Sequence, residues 1–376
     1  MKFICTQENL NRGLFITGHL SNKNVNLPIL NNVLLKVTEG ALTLASTNLE
    51  IGISATVRGK LEKEGEFTVE SRLISDFVSL LPNEKVELLL DKDDYLKVST
   101  SNSKTRIKGL PATDFPVIPK IEKDDPYIVN IKDLQKAISQ VIFAVSTNES
   151  RPEISGVFMS LHSENNKLTL AATDSYRLAE KKVDISGNKN KKELIVPVKT
   201  FQELLRILTA LKDDPDGAEN IEIFITENQI LFSLSSGIEI ISRTVEGQYP
   251  DYKQIIPNEN KTKVTVETPR LLKTIKTTSL FSKTGIFDIN LEFLDDKKSL
   301  VVSSTNNQLG ESVSEMEVDF HGDKNQTVIN YRYLLDGLNN LDSDNVSLEI
   351  IDGNVPLIIR PAEDTGYLYI IMPIKQ

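Results

Sequence analysis

The chain repeats itself three times, and that constrains its fold more than any other feature. Leu42-Thr43-Leu44-Ala45-Ser46-Thr47-Asn48 returns as Leu168-Thr169-Leu170-Ala171-Ala172-Thr173-Asp174, and again as Leu300-Val301-Val302-Ser303-Ser304-Thr305-Asn306. The threonines stand 126 and 132 residues apart. Each copy reads as an alternating strand that enters a turn at Thr-Asn or Thr-Asp. Leu10-x3-Leu14, Leu134-x3-Ile138 and Leu271-x3-Ile275 keep the same spacing, each opening a helix soon after a short strand. A second helical segment follows in each copy, over 70–81, 198–212 and 330–341.

Three units are therefore expected, 1–122, 123–258 and 259–376, joined at the Pro-marked polar links 119–126 and 257–261. A length of 376 residues suits three domains that each bury a core. In the second unit Leu134, Ala137, Ile138, Val141, Ile142 and Val145 form one apolar helical stripe. Phe201, Leu204, Leu205, Leu208 and Leu211 form another. Thr268 is expected to cap the fifth helix, with Pro269 at its first position. Strands are expected at 86–90, 221–225, 230–234, 346–350 and 367–372. Two helices and about eight strands per unit predict an α+β fold of three repeated domains, with helices on one side of antiparallel sheets.

The net charge of −10 argues against a uniformly basic coat. The six helical windows (7–20, 70–81, 131–146, 198–212, 269–282, 330–341) nevertheless hold eleven basic and six acidic residues. Their net +5 leaves −15 for the remainder. Either these are ordinary solvated helix faces, or the helices share a polyanionic partner. One cysteine, Cys5, excludes an internal disulfide and a Cys-cluster metal site. That cysteine usage and an N-terminus that turns polar early predict a cytoplasmic protein, and no apolar run approaches a membrane span. No phosphate loop, dinucleotide fingerprint, His-Glu-x2-His or paired histidine ligands occur, so neither a cofactor nor a metal is expected. Asp174-Ser175-Tyr176-Arg177 is the nearest approach to a catalytic constellation, and it has no partner histidine. Three readings stay open on these grounds: a module that binds a polyanion through its helices, an α+β enzyme using Asp174, Tyr176 and Arg177 around a small anionic substrate, and a scaffold that binds peptides but not DNA.

The repeat, together with Leu27-Pro28-Ile29-Leu30, Arg151-Pro152-x3-Gly156, Ala172-Thr173-Asp174-Ser175-Tyr176-Arg177-Leu178-Ala179, Gly247-Gln248-Tyr249-Pro250-Asp251-Tyr252 and Met372-Pro373-Ile374, closely resembles the bacterial DNA polymerase III beta subunits, the sliding clamps. The resemblance covers the whole chain. It implies a head-to-tail homodimer closed into a ring, with helices lining the hole, duplex DNA passing through it, and no catalysis. It also implies a pocket for short peptides of the replicative polymerase alpha subunit, the clamp loader and repair polymerases. The pocket wall would be Ile154, Thr173, Ser175, Tyr176, Arg177, Leu178, Pro250, Ile255, Ile370, Met372, Pro373 and Ile374. DNA contacts would come from Lys23, Asn24, Arg72, Asn148 and Arg151, joined by the helical Lys132, Lys136, Lys199, Arg206, Lys273 and Lys276. Leu280 and Phe281 would meet the strand around Ile107 of the other protomer. The chain departs from the family at Ser175-Tyr176, where Gly or Ser followed by His is frequent. It departs also at Gln254 and Asn24, where Arg is frequent, and at Ile374-Lys375, where Met-Arg is frequent.

Overall fold

The computed structural model describes all residues except 21–26, 92, 149, 162–165, 213–217, 258 and 376. Six α-helices stand where the periodicity predicts them: α1 (Gln7–Thr17), α2 (Ser71–Ser79), α3 (Ile131–Val141), α4 (Val198–Ala210), α5 (Thr268–Thr278) and α6 (Tyr331–Asn339). Three of them tighten at their ends into 3-10 turns, Gly18–Leu20, Ile142–Ala144 and Ser279–Phe281, so the α-helical spans are shorter than the apolar patterns. Leu134, Ala137, Ile138 and Val141 are fully buried, whereas Ile142, already in the 3-10 turn, is half-buried. On α4 Phe201, Leu204 and Leu208 are buried as expected, and Ile207 joins them.

Thr268 is not the cap of α5. The cap position is Glu267, whose side chain makes no capping bond, and Thr268 lies inside the first turn beside Pro269. Strand Thr262–Glu267 runs straight into the helix, so the Thr268 hydroxyl is turned inward and buried without a partner. Side chains that do cap include Thr6, Glu70 and Asn330, which accept from the backbone N–H groups of Asn9, Leu73 and Arg332.

The described residues form two compact units. The first comprises Met1–Ile131, Ser186–Asn188 and Arg206–Thr244, and the second comprises Lys132–Ile185, Lys189–Leu205 and Val245–Gln376. The reason is sheet pairing across the repeats. In the first unit strand Ile51–Val57 of the first repeat pairs antiparallel with Ile238–Arg243 of the second, giving one fourteen-stranded sheet. In the second unit Arg177–Asp184 pairs antiparallel with Tyr367–Ile371 of the third repeat, inside a nine-stranded sheet accompanied by a four-stranded one. The middle repeat is thus shared between the units.

The repeated Thr-Asn/Asp signature is a locked turn. The Thr47 hydroxyl donates to Ile51 O (2.9 Å) and accepts from Leu49 N–H, while Asn48 Oδ1 accepts from Glu50 and Ile51 N–H. Thr173 and Asp174 make the same bonds to Arg177 O and to Ser175, Tyr176 and Arg177 N–H. The third residue of each turn is left-handed, Leu49 at φ +77° and Ser175 at φ +79°. The third copy differs. There the strand continues to Asn306 and pairs into Gly310, so Thr305 lies within the ladder.

The core of the first repeat packs Phe3, Cys5, Leu10, Leu14, Leu35, Phe67 and Ile107 together, each nearly sealed from solvent. Removal from water pushes the Cys5 thiol up to about 12. A free thiol titrates near ~8.5, so above that pH ionisation favours the unfolded chain, and this group's contribution to stability falls as pH rises from about 9 towards 12. A thiol reagent at pH 8 is expected to leave the native protein unmodified and to label one residue per chain after denaturation. Rapid native labelling would show that the first-repeat core opens readily.

Candidate functional site

Strand Arg177–Asp184 lies between Lys167–Thr173 and Tyr367–Ile371, with Leu178 opposite both Thr173 and Ile370. Successive residues of a strand point to opposite faces of its sheet. On one face Leu178 and Ile370, both fully buried, join Ile154 in an apolar cluster closed by Tyr249 and Tyr252. The Tyr252 hydroxyl donates to the buried Glu180 carboxylate at 2.6 Å, and burial, reinforced by that carboxylate, drives the phenol well above its ordinary value.

Arg177 belongs to the other face, which corrects its expected place in the pocket wall. Its guanidinium bridges Asp174 (3.0 Å) and Asp336 of α6 (2.5 Å) and donates to Phe143 O (2.8 Å). It also lies 4.7 Å from the Tyr333 ring centre and 5.5 Å from that of Phe143. Strand alternation therefore separates Arg177 from Leu178 although they are neighbours in sequence. Phe143, Tyr333 and Asp336 are the residues that sequence reasoning missed. The aromatic pair Tyr331 and Tyr333 at the start of α6 was the available signal.

The remaining pocket residues converge at the end of these strands. Ser175 Oγ accepts from Arg151 Nη1 at 2.9 Å. Tyr176 is 62% exposed, and its ring lies nearly parallel to that of Tyr333 at 6.5 Å. Met372 N–H donates to Tyr176 O (2.8 Å) and Ile374 N–H to Val328 O (2.7 Å), which fixes the half-buried Met372-Pro373-Ile374. Thr173 is buried, Pro250 half-buried, and Ile255 exposed. Asp174 serves as a turn lock: its carboxylate is occupied by two backbone N–H groups and Arg177. Among the described residues no group of three or more His, Cys, Asp or Glu side chains could hold a metal ion.

The helix cations differ in availability. Lys199, Lys273 and Lys276 are exposed, as is Lys132. Arg72 is exposed and faces Asp76 one turn on at 3.7 Å. Lys136 is paired with Asp342 at 3.0 Å. Arg206 is a structural group: it donates to Phe15 O (3.0 Å) and Ile16 O (2.8 Å) at the C-terminal end of α1, where unsatisfied carbonyls attract a cation. Asn148 accepts from Ser150, and Arg151 pairs with Glu153 at 3.0 Å. Lys23 and Asn24 lie outside the described residues.

Ile107 is 3% exposed and part of the core, not of the surface. Alternation along Lys104–Leu110 turns Arg106, Lys108 and Leu110 outward instead. Leu280, 70% exposed, is no core residue, and Phe281 beside it is half-buried. The first unit has an apolar stripe of its own on α2, formed by Leu73 (51% exposed), the half-buried Phe77 and Leu80 (84% exposed).

Comparison with known proteins matches residues 1–119, 128–251 and 253–375 to the family models of the N-terminal, central and C-terminal domains of the DNA polymerase III beta subunit. The chain belongs to the DNA polymerase III beta subunit family, the beta sliding clamps. A beta sliding clamp of Staphylococcus aureus is 30% identical over 359 residues, covering 93% of this chain and 92% of the relative. The crystal structure of the Thermotoga maritima DNA polymerase III beta subunit superimposes with a TM-score of 0.90 at 28% identity, over 100% of this chain and 99% of the other. The Pseudomonas aeruginosa clamp bound to griselimycin gives 0.92 at 25%, over the full length of both. As a sliding clamp the chain is an accessory processivity subunit without catalysis of its own. No helix among its described residues is long and apolar enough to cross a membrane.

In this clamp Arg177→Ala is expected to lower unfolding stability by about 2–4 kcal/mol, because Asp174 loses its counter-charge while Asp336, half exposed, is partly relieved by water. Arg177→Lys should recover little, since an ammonium cannot bridge two carboxylates and lie flat on Tyr333. Urea denaturation of the three proteins checks this. Equal midpoints would show that the Arg177 contacts add nothing.

Proposed function

We propose that two copies close head to tail into a ring around duplex DNA, each chain contributing three clamp domains, 1–122, 123–258 and 259–376, in the cytoplasm. The full-length match to three successive clamp domains carries this reading. Lys199, Lys273, Lys276 and Lys132 then face DNA, joined by Arg72 and the loop residues Asn148 and Arg151. Such contacts to phosphate are independent of sequence, so each one lost on translation is replaced by an equivalent one. The topology of the ring supplies retention, and a tethered polymerase gains effective concentration at the primer end.

Two open sheet edges support the closure. Strand Lys104–Leu110 pairs on one side with Tyr95–Ser99, but on the other only its last two residues pair. Lys104, Arg106 and Lys108 thus point outward along an open edge. Strand Gly310–Glu317 ends the four-stranded sheet and carries Glu311, Glu315 and Glu317. Opposite charge and unpaired backbone groups suit edge-to-edge pairing between copies. Leu280 and Phe281, near Gly310, would then cover the α2 stripe of Leu73, Phe77 and Leu80. This surface replaces Ile107 as the counter-face.

The groove bounded by Ile154, Thr173, Ser175, Tyr176, Leu178, Pro250, Ile255, Ile370 and Met372-Pro373-Ile374 would take short apolar peptide motifs of polymerases, including the replicative alpha subunit and repair polymerases, and of the clamp loader. A half-buried, adaptable methionine at its rim, Met372, favours varied partners. Arg177 positions the turn from behind rather than touching the peptide.

Clamp loaded on a nicked circle should be retained, and should leave once the circle is linearised. Lys199→Glu with Lys273→Glu and Lys276→Glu should weaken the salt-dependent residual contact without opening the ring. Leu280→Asp with Phe281→Asp should give a folded monomer by sedimentation and circular dichroism, because desolvating a charge there opposes closure. A folded dimer that stays on circular DNA would overturn this interface.

A further inference from the structure

The turn that presents Ser175 and Tyr176 has a twin in the first unit, and the match extends beyond the turn itself. Thr47 stands opposite Gly52 as Thr173 stands opposite Leu178. Gly52 pairs with Ile241 as Leu178 pairs with Ile370. Arg243 N–H donates to Glu50 O at 3.0 Å, as Met372 N–H donates to Tyr176 O at 2.8 Å. The 3-10 turns Pro28–Asn31 and Pro152–Ile154 bury Leu30 and Ile154 alike. Phe115 and Tyr249, each followed by proline, are both 8% exposed.

On this shared backbone two apolar positions are exchanged. Where the second unit has Leu178, the first has Gly52. Where the second unit has Tyr252, three residues beyond Tyr249, the first has Ile118, three beyond Phe115. Tyr252 is directed to Glu180 by its hydroxyl. Ile118 has no polar end, and it packs with Ile241, Phe224 and Leu231. A Cβ placed on Gly52 would stand 2.9 Å from Ile118 Cγ2 and 3.0 Å from Ile241 Cγ2. The Ile118 side chain therefore holds the volume that a leucine on the strand would need. The rim differs too: exposed Glu50 and Arg243 stand in the places of Tyr176 and Met372.

We infer that the first unit carries a second peptide groove closed by the chain's own Ile118 seated over Gly52, so that each chain offers one open groove, the one beside Leu178. The inference rests on the peptide groove proposed above. Ile118 acts there as a resident anchor, a branched aliphatic side chain in the kind of apolar site that a partner's anchor would enter. Were it removed, the vacated site would suit an aliphatic anchor.

Griselimycin, titrated calorimetrically into the intact protein, is the binding probe, with circular dichroism to verify folding. Wild type should bind one equivalent per chain. Ile118→Ala should bind a second, weaker equivalent, and Ile118→Ala with Gly52→Leu should return to one because the strand refills the volume. A folded Ile118→Ala protein that still binds only one, or a wild type that binds two, would overturn the inference. A wild type that binds none would overturn the parent reading of the open groove, and a stability cycle then judges Ile118 by itself. Gly52→Leu and Ile118→Ala should each lower the melting temperature by several degrees, and the double variant should recover most of that loss. Additive losses would mean that the two side chains do not compete for one volume.

Discussion

Backbone pairing between repeats is the interaction on which the rest of this structure depends. A strand at a sheet edge exposes a row of unpaired N–H and C=O groups, which invites further pairing. Ile51–Val57 and Arg177–Asp184 are each followed in sequence by a strand that pairs elsewhere, and a strand of the next repeat covers them instead. The consequence is that compactness follows the sheets. The middle repeat gives Asn220–Arg243 to one unit and Gly156–Asp184 to the other. After these pairings an open edge remains along Lys104–Lys108 and another along Gly310–Glu317. The same pairing rule that links the repeats within a chain accounts for the proposed closure between chains, with charge selecting which edge meets which.

The pairing also fixes what the groove can be. Because Leu178 is held opposite Thr173 and Ile370, the next side chain in either direction must leave by the other face. Arg177 leaves towards α6, where Asp336, Tyr333 and the Phe143 carbonyl take up its donors. Its bonds hold the turn from behind while Tyr176 remains in solvent in front. An arginine between carboxylates in this setting is a positioning group, and its chemistry is exhausted by the fold.

Much of this was legible in the sequence because it is written in periods. Stripes such as Leu134, Ala137, Ile138 and Val141 need only one face buried to fix a helix, and the Thr-Asn/Asp repeats need only local hydrogen bonds to fix a turn. What escaped depends on partners remote in sequence. Arg206 reads as a helix-face cation until α1 brings the Phe15 and Ile16 carbonyls to it. Ile107 reads as a surface residue between two cations, yet that alternation is itself the signature of a strand with one buried face. Thr268-Pro269 reads as a cap because the sequence does not reveal that the preceding strand enters the helix without a break. The family resemblance supplies the residues of the proposed groove, and strand alternation separates the Arg177 side chain from that of Leu178.

The same distinction between local and remote partners governs the charge. A helical surplus of +5 suggests a basic lining, but it treats every cation as available. Lys136 is held by Asp342, Arg72 faces Asp76, Arg206 caps α1, and Arg332 lies 3.5 Å over the Phe287 ring. The exposed remainder includes Lys199, Lys212, Lys273 and Lys276, together with Arg270 on α5. Arginine's planar fork suits fixed, bidentate partners, whereas lysine is a mobile point charge on a flexible stem. In this chain arginine holds geometry at Arg177 and Arg206, while the exposed lysines of α4 and α5 are among the cations proposed to meet phosphate. In the proposed ring such a lining would favour sliding over capture, because lysine contacts to phosphate are mobile and independent of sequence.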